Sequence, residues 1–207
     1  MSKLKLPHAS GNSMSIAAPA TNPASDLELK LPATIGSAGQ VLRNSSTPGT
    51  LEFGGGIQEF DMWRINSSSS LAGDTDITAN WERADTDFEK IGTGLTESSG
   101  IFTFPSTGKW LIGAFAYVWT SAGPDYAGIG IFLSTDSGGS YEKRTETLTS
   151  INNDESAGSV LSTVCFDITN SATARMKLVA ITATTVQYNG HTSQNRTGLW
   201  AIKLGDT

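Results

Sequence analysis

The segment from Lys109 to Trp119 restricts the fold of this chain more than any other part of its sequence. Its apolar residues alternate strictly, which predicts a β-strand, and they fall on two sides: Trp110, Ile112, Ala114, Ala116 and Val118 against Leu111, Gly113, Phe115, Tyr117 and Trp119. An antiparallel strand with one side on a core and the other in water has polar residues on the second side. The second side of this strand therefore needs a cover.

Two covers fit this pattern, a second copy of the chain or a loop of the same chain. Interfaces between protein chains are enriched in Tyr, Trp and Phe, the residue types found on the second side. We therefore expect a homo-oligomer, with a loop as the alternative. A weaker alternation over 127–133 adds two residues to the predicted interface, which comprises Leu111, Phe115, Tyr117, Trp119, Ile129 and Ile131.

The rest of the C-terminal sequence predicts short strands separated by turn clusters. Only 16% of the residues are charged, 22 are glycines, and no window has a sustained helical stripe. Regular short strands at this spacing are typical of an antiparallel β-sandwich or barrel. The predicted strands are Ile57–Ile65, Phe88–Ile91, Gly100–Phe104, Lys109–Trp119, Ala127–Leu133, Tyr141–Leu148, Val160–Ile168, Arg175–Thr184 and Gly198–Leu204.

The run of glycines at 54–56 predicts a boundary between an extended N-terminal β-arm, residues 1–56, and a head domain, residues 57–207. The arm has a single aromatic residue, Phe53, too little to build a core of its own. Lys5-Leu6-Pro7 and Lys30-Leu31-Pro32 each precede a turn and another short apolar piece, which predicts two small β-elements, with a disordered arm as the alternative. We expect seven of its apolar residues to anchor the arm: Leu4, Leu6, Leu27, Leu29, Leu31, Val41 and Leu42.

Charge and composition argue against several classes of function. The net charge is −6 and no cluster of Lys and Arg is present, so we expect no nucleic-acid partner. Cys165 is the single cysteine, which leaves no intrachain disulfide. The sequence has no signal peptide and no apolar run long enough to insert in a membrane. We therefore expect synthesis in a cytoplasm without a secretion route.

The sequence offers little that could support catalysis. Its only histidines are His8 and His191, so a nucleophile has few candidate bases, and zinc lacks ligands. The loop acids at 74 and 76 or at 85 and 87 form pairs without the remaining pattern of a calcium loop. We expect no enzyme activity, no metal and no cofactor. Three residues remain as candidate ligand contacts in loops: Tyr126, Tyr188 and His191.

Two parts of the head domain resemble the jelly rolls of the complement globular head and of tumour necrosis factor. The first, residues 100–112, has the sequence GIFTFPSTGKWLI, in which a strand ends in Phe and Pro, a turn contains Gly, and an aromatic residue opens an alternating strand. The second is the closing strand, residues 198–204. The resemblance implies an all-β antiparallel sandwich, a jelly roll, that assembles as a compact homotrimer.

The arm is similar to a short element of tail-fibre and other virion proteins of marine tailed bacteriophages. The similarity lies in Lys30-Leu31-Pro32, the turn from Gly36, Gly39-Gln40-Val41-Leu42 and the segment ending at Phe53. It implies a virion surface protein made in the host cytoplasm. Because the chain is short and the arm lies near its start, we expect a trimeric capsid decoration or cement protein anchored by that arm. The alternative is a short tail fibre or a host receptor-binding or glycan-binding protein. The implied partners are further copies of the chain, major capsid or tail proteins, and a host surface glycan.

Overall fold

Strands and turns make up the part of the chain that a computed structural model describes, namely residues 3–7, 11, 13–17, 19–21, 23–37, 40–121, 125–151 and 156–207. The chain divides into two units, Met1–Gly56 and Ile57–Thr207. No helix is present among the described residues, and hence none there is long and apolar enough to cross a membrane. The all-β prediction is confirmed.

The N-terminal unit contains two separate β-hairpins. Strands β1 (Lys3–Pro7) and β2 (Ser13–Ala17) pair antiparallel, and so do β3 (Val41–Asn44) and β4 (Leu51–Gly54). The first Lys-Leu-Pro triplet therefore ends a strand at its proline, as predicted, since proline has no N–H for the ladder.

The second Lys-Leu-Pro triplet does not end a strand, so this part of the prediction is wrong. Lys30 makes a single parallel bridge with Thr50, in which its N–H donates to Gly49 O at 2.8 Å and its carbonyl accepts from the Leu51 N–H at 2.8 Å. The strand that begins at Leu51 pairs with β3 instead. The segment 26–29 consequently has no ladder partner in the described structure.

The C-terminal unit is an antiparallel sandwich of two sheets. Its strands are β5 (Phe60–Ile65), β6 (Ser69–Leu71), β7 (Thr75–Asp76), β8 (Trp81–Arg83), β9 (Thr96–Ser98), β10 (Ile101–Thr103), β11 (Gly108–Thr120), β12 (Asp125–Ser134), β13 (Glu142–Ile151), β14 (Ser156–Ile168), β15 (Arg175–Thr182), β16 (Val186–Tyr188) and β17 (Gly198–Gly205). One sheet has the order β13-β12-β15-β10-β9, with β7 beside β15. The other sheet has the order β14-β11-β17-β5-β8. Strand β16 pairs with the end of β11, next to β17, and β6 pairs with β16.

The core lies between the two sheets and is rich in aromatic residues. Trp110 is fully buried, and its ring meets that of Phe104 edge-on at 5.4 Å between centroids. Phe102 lies edge-on to Trp81 at 4.9 Å. Edge-to-face pairs at these distances stabilise a core beyond the area that they bury. The side of β11 that begins with Trp110 therefore faces inward, and its even-numbered residues from 110 to 118 are all buried.

One predicted strand, Phe88–Ile91, is wrong, whereas the other predicted strands of this unit are present with shifted ends. Ile91 makes only an isolated bridge with Phe60. Asp87 has a φ of 57°, a left-handed conformation that interrupts an extended chain. The ring of Phe88 packs against Phe60 at 4.9 Å from a loop. The strands that the sequence pattern missed, β6 to β9 and β16, have only two or three residues each.

Buried charged residues hold β5 to β8 and to neighbouring loops. The Asp61 carboxylate is fully buried and accepts from Arg83 Nε at 3.0 Å, Trp63 Nε1 at 2.9 Å and the Leu95 N–H at 2.8 Å. The buried guanidinium of Arg64 donates to Glu82, Asp85 and the carbonyl of Thr192. Buried charges of this kind are tolerated only when they are paired and hydrogen-bonded.

The turn between β12 and β13 is built around the side chain of Asp136. Its carboxylate accepts from the Ser134 hydroxyl at 2.6 Å and from the Ser140 N–H at 3.0 Å and hydroxyl at 2.8 Å. These bonds favour the charged form, so they lower the pKa of Asp136 to about 2.

We expect the carboxyl of Asp136 to titrate with a midpoint of about 2 in an NMR pH series. Because this pKa is lower in the folded chain than the ordinary 3.8, the turn is fully stabilised above pH 3.8 and loses that stabilisation as the pH falls through about 2. Ser134→Ala removes the leading hydrogen bond and should raise the midpoint towards 3.8. A midpoint of 3.8 in the unaltered chain would contradict this turn geometry.

Candidate self-association surface

One outer side of the sandwich carries apolar side chains across four neighbouring strands. The strands are β14, β11, β17 and β5, and their register places Leu161 opposite Phe115, Leu111 opposite Ile202, and Trp200 opposite Met62. Residues opposite each other in antiparallel strands project to the same side of the sheet. We call this surface the aromatic face; it comprises Met62, Leu111, Phe115, Tyr117, Leu161, Trp200 and Ile202.

Two glycines allow the large rings of the aromatic face to lie close to the sheet. Gly113 lies opposite Trp200, and a Cβ at position 113 would come within 2.2 Å of the indole. Gly198 lies opposite Phe115, and a Cβ there would come within 2.1 Å of the Trp63 carbonyl oxygen and 3.0 Å of the Phe115 ring. Any larger residue at either glycine would push its neighbouring ring away from the sheet, so the glycines keep the face flat.

Most of the aromatic face remains in contact with solvent in the described part of the chain, whereas Met62 at its border contacts a loop, with its Sδ 3.1 Å from Asn195 Nδ2. Leu161 is 56% exposed, and Leu111, Phe115, Tyr117 and Trp200 are half-buried. Four of the six predicted interface residues, Leu111, Phe115, Tyr117 and Trp119, lie on this side of the sheet. Contiguous apolar areas that are open to solvent are typical of interaction surfaces.

The other two predicted interface residues, Ile129 and Ile131, do not lie on an open surface. Both are fully buried in the core, where they lie opposite Ala180 and Leu178 of β15. Alternation shows which residues share a side of a strand but not which side faces inward. The outer side of β12 instead carries glycines at 128 and 130 and Phe132, so the prediction of the two isoleucines as interface residues is wrong.

The three candidate ligand residues do not form one site. Tyr188 is fully buried, and its hydroxyl donates to the Gly128 carbonyl at 2.5 Å; burial raises its pKa. Tyr188 is therefore a core residue, and its prediction as a ligand contact is wrong. Tyr126 is 40% exposed on β12 of one sheet. His191 follows β16 of the other sheet, and its Nδ1 accepts from the Ser193 N–H at 3.0 Å.

The predicted anchoring residues of the N-terminal unit are largely open to solvent. The described side chains are between 48% and 77% exposed: Leu6, Leu27, Leu29, Leu31, Val41 and Leu42. The side chain of Leu4 lies outside the described part of the structure. Leu27, Leu29 and Leu31 lie outside the two hairpins, and a two-stranded hairpin has no core in which to bury Leu6, Val41 and Leu42. These exposed apolar side chains can therefore contact another protein.

Two of the four loop acids considered as calcium ligands are paired with cations instead. Asp76 contacts Lys177 Nζ at 2.8 Å, and Asp85 contacts Arg64 at 2.5 Å. Among the residues that the structure describes, no group of three or more His, Cys, Asp and Glu side chains is placed to hold a metal. His8, one of the two histidines, lies outside the described residues.

Comparisons with known proteins give similarity at the level of the fold. No protein-family model matches the chain, and no curated protein sequence is significantly similar to it. The structure of Eiger TNF from S. frugiperda has a TM-score of 0.58 at 14% identity, over 72% of this chain and 93% of that one. Murine APRIL at pH 8.5 has a TM-score of 0.51 at 16% identity, over 70% and 98%. The fold predicted from residues 100–112 and 198–204 is therefore confirmed: the chain contains a jelly roll like those of tumour-necrosis-factor proteins.

Proposed function

We propose that this chain is a non-enzymatic virion structural protein that self-associates as a homotrimer through its aromatic face. The observation that carries the self-association is the aromatic face, on which Phe115, Tyr117, Leu161 and Trp200 lie together. Removing such side chains from water contributes about 1.5–3 kcal/mol for each one fully buried. Phe115, Tyr117 and Trp200 are already half-buried in the single chain, so a second copy that covers the face gains only part of this free energy, without any change of fold.

The position of β14 favours a ring of copies over a two-fold pair. This strand has a ladder partner only in β11 among the described strands, although β13 contacts it through side chains, as between Thr145 Oγ1 and Ser162 Oγ at 3.0 Å. It also carries the most exposed residue of the aromatic face, Leu161. An edge of one copy that packs on the face of the next makes a head-to-tail contact, which closes into a ring when the rotation allows. The resemblance to the tumour-necrosis-factor jelly rolls implies that the ring has three members.

The N-terminal unit supplies the attachment to the particle. Its exposed leucines, such as Leu27, Leu29 and Leu31, would be buried against capsid subunits. We propose a capsid decoration protein on this basis and on the similarity of residues 30–53 to virion proteins of tailed phages. The second candidate is a short tail fibre whose jelly roll binds a host receptor, which the exposure of Tyr126 on the opposite sheet supports.

Immunogold labelling of intact virions with antibodies against the recombinant chain tests the location. Decoration of the capsid predicts gold particles over the whole head. Labelling confined to the tail would support the fibre instead. If the chain is expressed during infection but the virions from that lysate carry no label, the virion assignment is contradicted.

A further inference from the structure

Trp119 lies on the same side of the sheet as the aromatic face, but its neighbours differ from those of Phe115 and Tyr117. It lies opposite Gln187 of β16, and Gln187 lies opposite Ser70 of β6. The three side chains therefore form one row across three strands at the end of β11. The row lines a surface hollow of about 130 Å³ whose described lining residues are Ser70, Trp119, Thr120, Ser121, Thr185 and Gln187.

The composition of this hollow is unlike that of the aromatic face. Its described lining has no charged side chain and no apolar residue besides Trp119, which is 37% exposed. The centres of interfaces between protein chains are apolar. A single indole surrounded by hydroxyl and amide groups is instead suited to a ligand that has both an apolar side and many hydroxyls.

Polar groups around Trp119 are available to a ligand. In the described part of the chain, the side chains of Ser70, Thr185 and Gln187 have no hydrogen-bond partner, nor does the indole N–H of Trp119. By contrast, the indoles of Trp63, Trp81 and Trp110 all donate to partners within the chain. The hollow therefore combines an exposed aromatic ring with the donors and acceptors of Ser70, Thr185 and Gln187, which nothing else in the described structure uses.

We propose that this hollow is a saccharide subsite that takes one ring of a neutral hexose or N-acetylhexosamine. The C–H side of the sugar ring stacks on the Trp119 indole, while the amide of Gln187 and the hydroxyls of Ser70 and Thr185 bind the sugar hydroxyls. The absence of charged side chains in the described lining disfavours acidic sugars, because no cation there pairs with a carboxylate. The inference is independent of the trimer and of the virion location, since a saccharide subsite needs neither.

A single sugar ring in a shallow hollow binds weakly, with a Kd on the order of 1 mM. Several copies of the subsite in one assembly would raise the apparent affinity for a polysaccharide, since later contacts become intramolecular. The prediction for the isolated site is therefore a weak, saturable interaction that depends on Trp119.

The test is an NMR titration of the full chain with ¹⁵N-labelled tryptophan. The indole resonance of Trp119 is the one that disappears in the variant Trp119→Phe. The probes are the methyl glycosides of glucose, galactose, mannose and N-acetylglucosamine, each titrated to about 50 mM. We expect at least one of them to shift the Trp119 indole resonance saturably. Gln187→Ala should weaken binding about fivefold or more, and Trp119→Ala should abolish it.

Tyr126→Ala is the matched control, because it removes a similarly exposed aromatic residue on the other sheet and should leave binding unchanged. The mass of each variant in solution is measured in parallel and should equal that of the unaltered chain. Three results would overturn the proposal: no response of Trp119 to any of the glycosides, binding that survives Trp119→Ala, or dissociation of the assembly by Trp119→Ala.

Discussion

Tyr117→Asp is expected to dissociate the assembly into folded monomers. Tyr117 lies on the aromatic face between Phe115 and Trp119 along β11, opposite Ser159 of β14. A carboxylate placed there would be buried without a cation in the assembled state, which costs several kcal/mol at each interface. Light scattering coupled to size exclusion, at micromolar concentration, should give the monomer mass for this variant.

Leu148→Asp is the matched control for the aromatic face. Leu148 is 45% exposed on β13, in the other sheet, so the same kind of change there should leave the assembly intact. The far-ultraviolet circular dichroism of both variants should equal that of the unaltered chain. If Tyr117→Asp keeps the mass of the assembly, the aromatic face is not the interface, and a segment of the same chain covers it.

Asp61→Ala is expected to lower the free energy of unfolding by about 3–5 kcal/mol. The substitution removes the acceptor of Arg83 Nε, of the Trp63 indole N–H and of the Leu95 backbone N–H, whereas Arg83 Nη2 still donates to the Leu95 carbonyl. Unpaired buried donors cost their full desolvation penalty. Urea unfolding, followed by tryptophan fluorescence at one fixed protein concentration, measures the change.

Asp167→Ala is the control for that measurement. Asp167 also pairs with a cation, Lys109 Nζ at 2.9 Å, but both side chains are more than half exposed. Exposed ion pairs contribute little to stability, so the urea midpoint should hardly move. Equal shifts for the two variants would show that the buried carboxylate of Asp61 has no special role.

The fold could be predicted from the sequence because its longest strands carry strong alternation. The segment 109–119 is apolar on both sides, and this pattern alone indicates that one side faces a core and that the other needs a cover. Alternation could not show which side of β12 faces inward, so Ile129 and Ile131 were assigned to the wrong surface. The short strands β6 to β9 and β16 carry too few residues for a periodic signal.

Features that depend on contacts between distant residues could not be predicted. The hydrogen bonds of Asp61 join residues 22 and 34 positions apart in sequence, and no local pattern marks such pairs. The burial of Tyr188 depends on the Gly128 carbonyl, 60 positions away. Trp119 and Gln187 meet only through the pairing of β11 with β16. The presence of both an aromatic face and a polar hollow on one side of the sheet therefore follows from strand pairing and not from any local sequence pattern.

The mass of the unaltered chain in solution tests the central claim, self-association through the aromatic face, most directly. Sedimentation equilibrium at micromolar concentration should give three times the chain mass of 21.8 kDa, without a detectable monomer. A stable monomer of 21.8 kDa under these conditions would contradict self-association through the aromatic face.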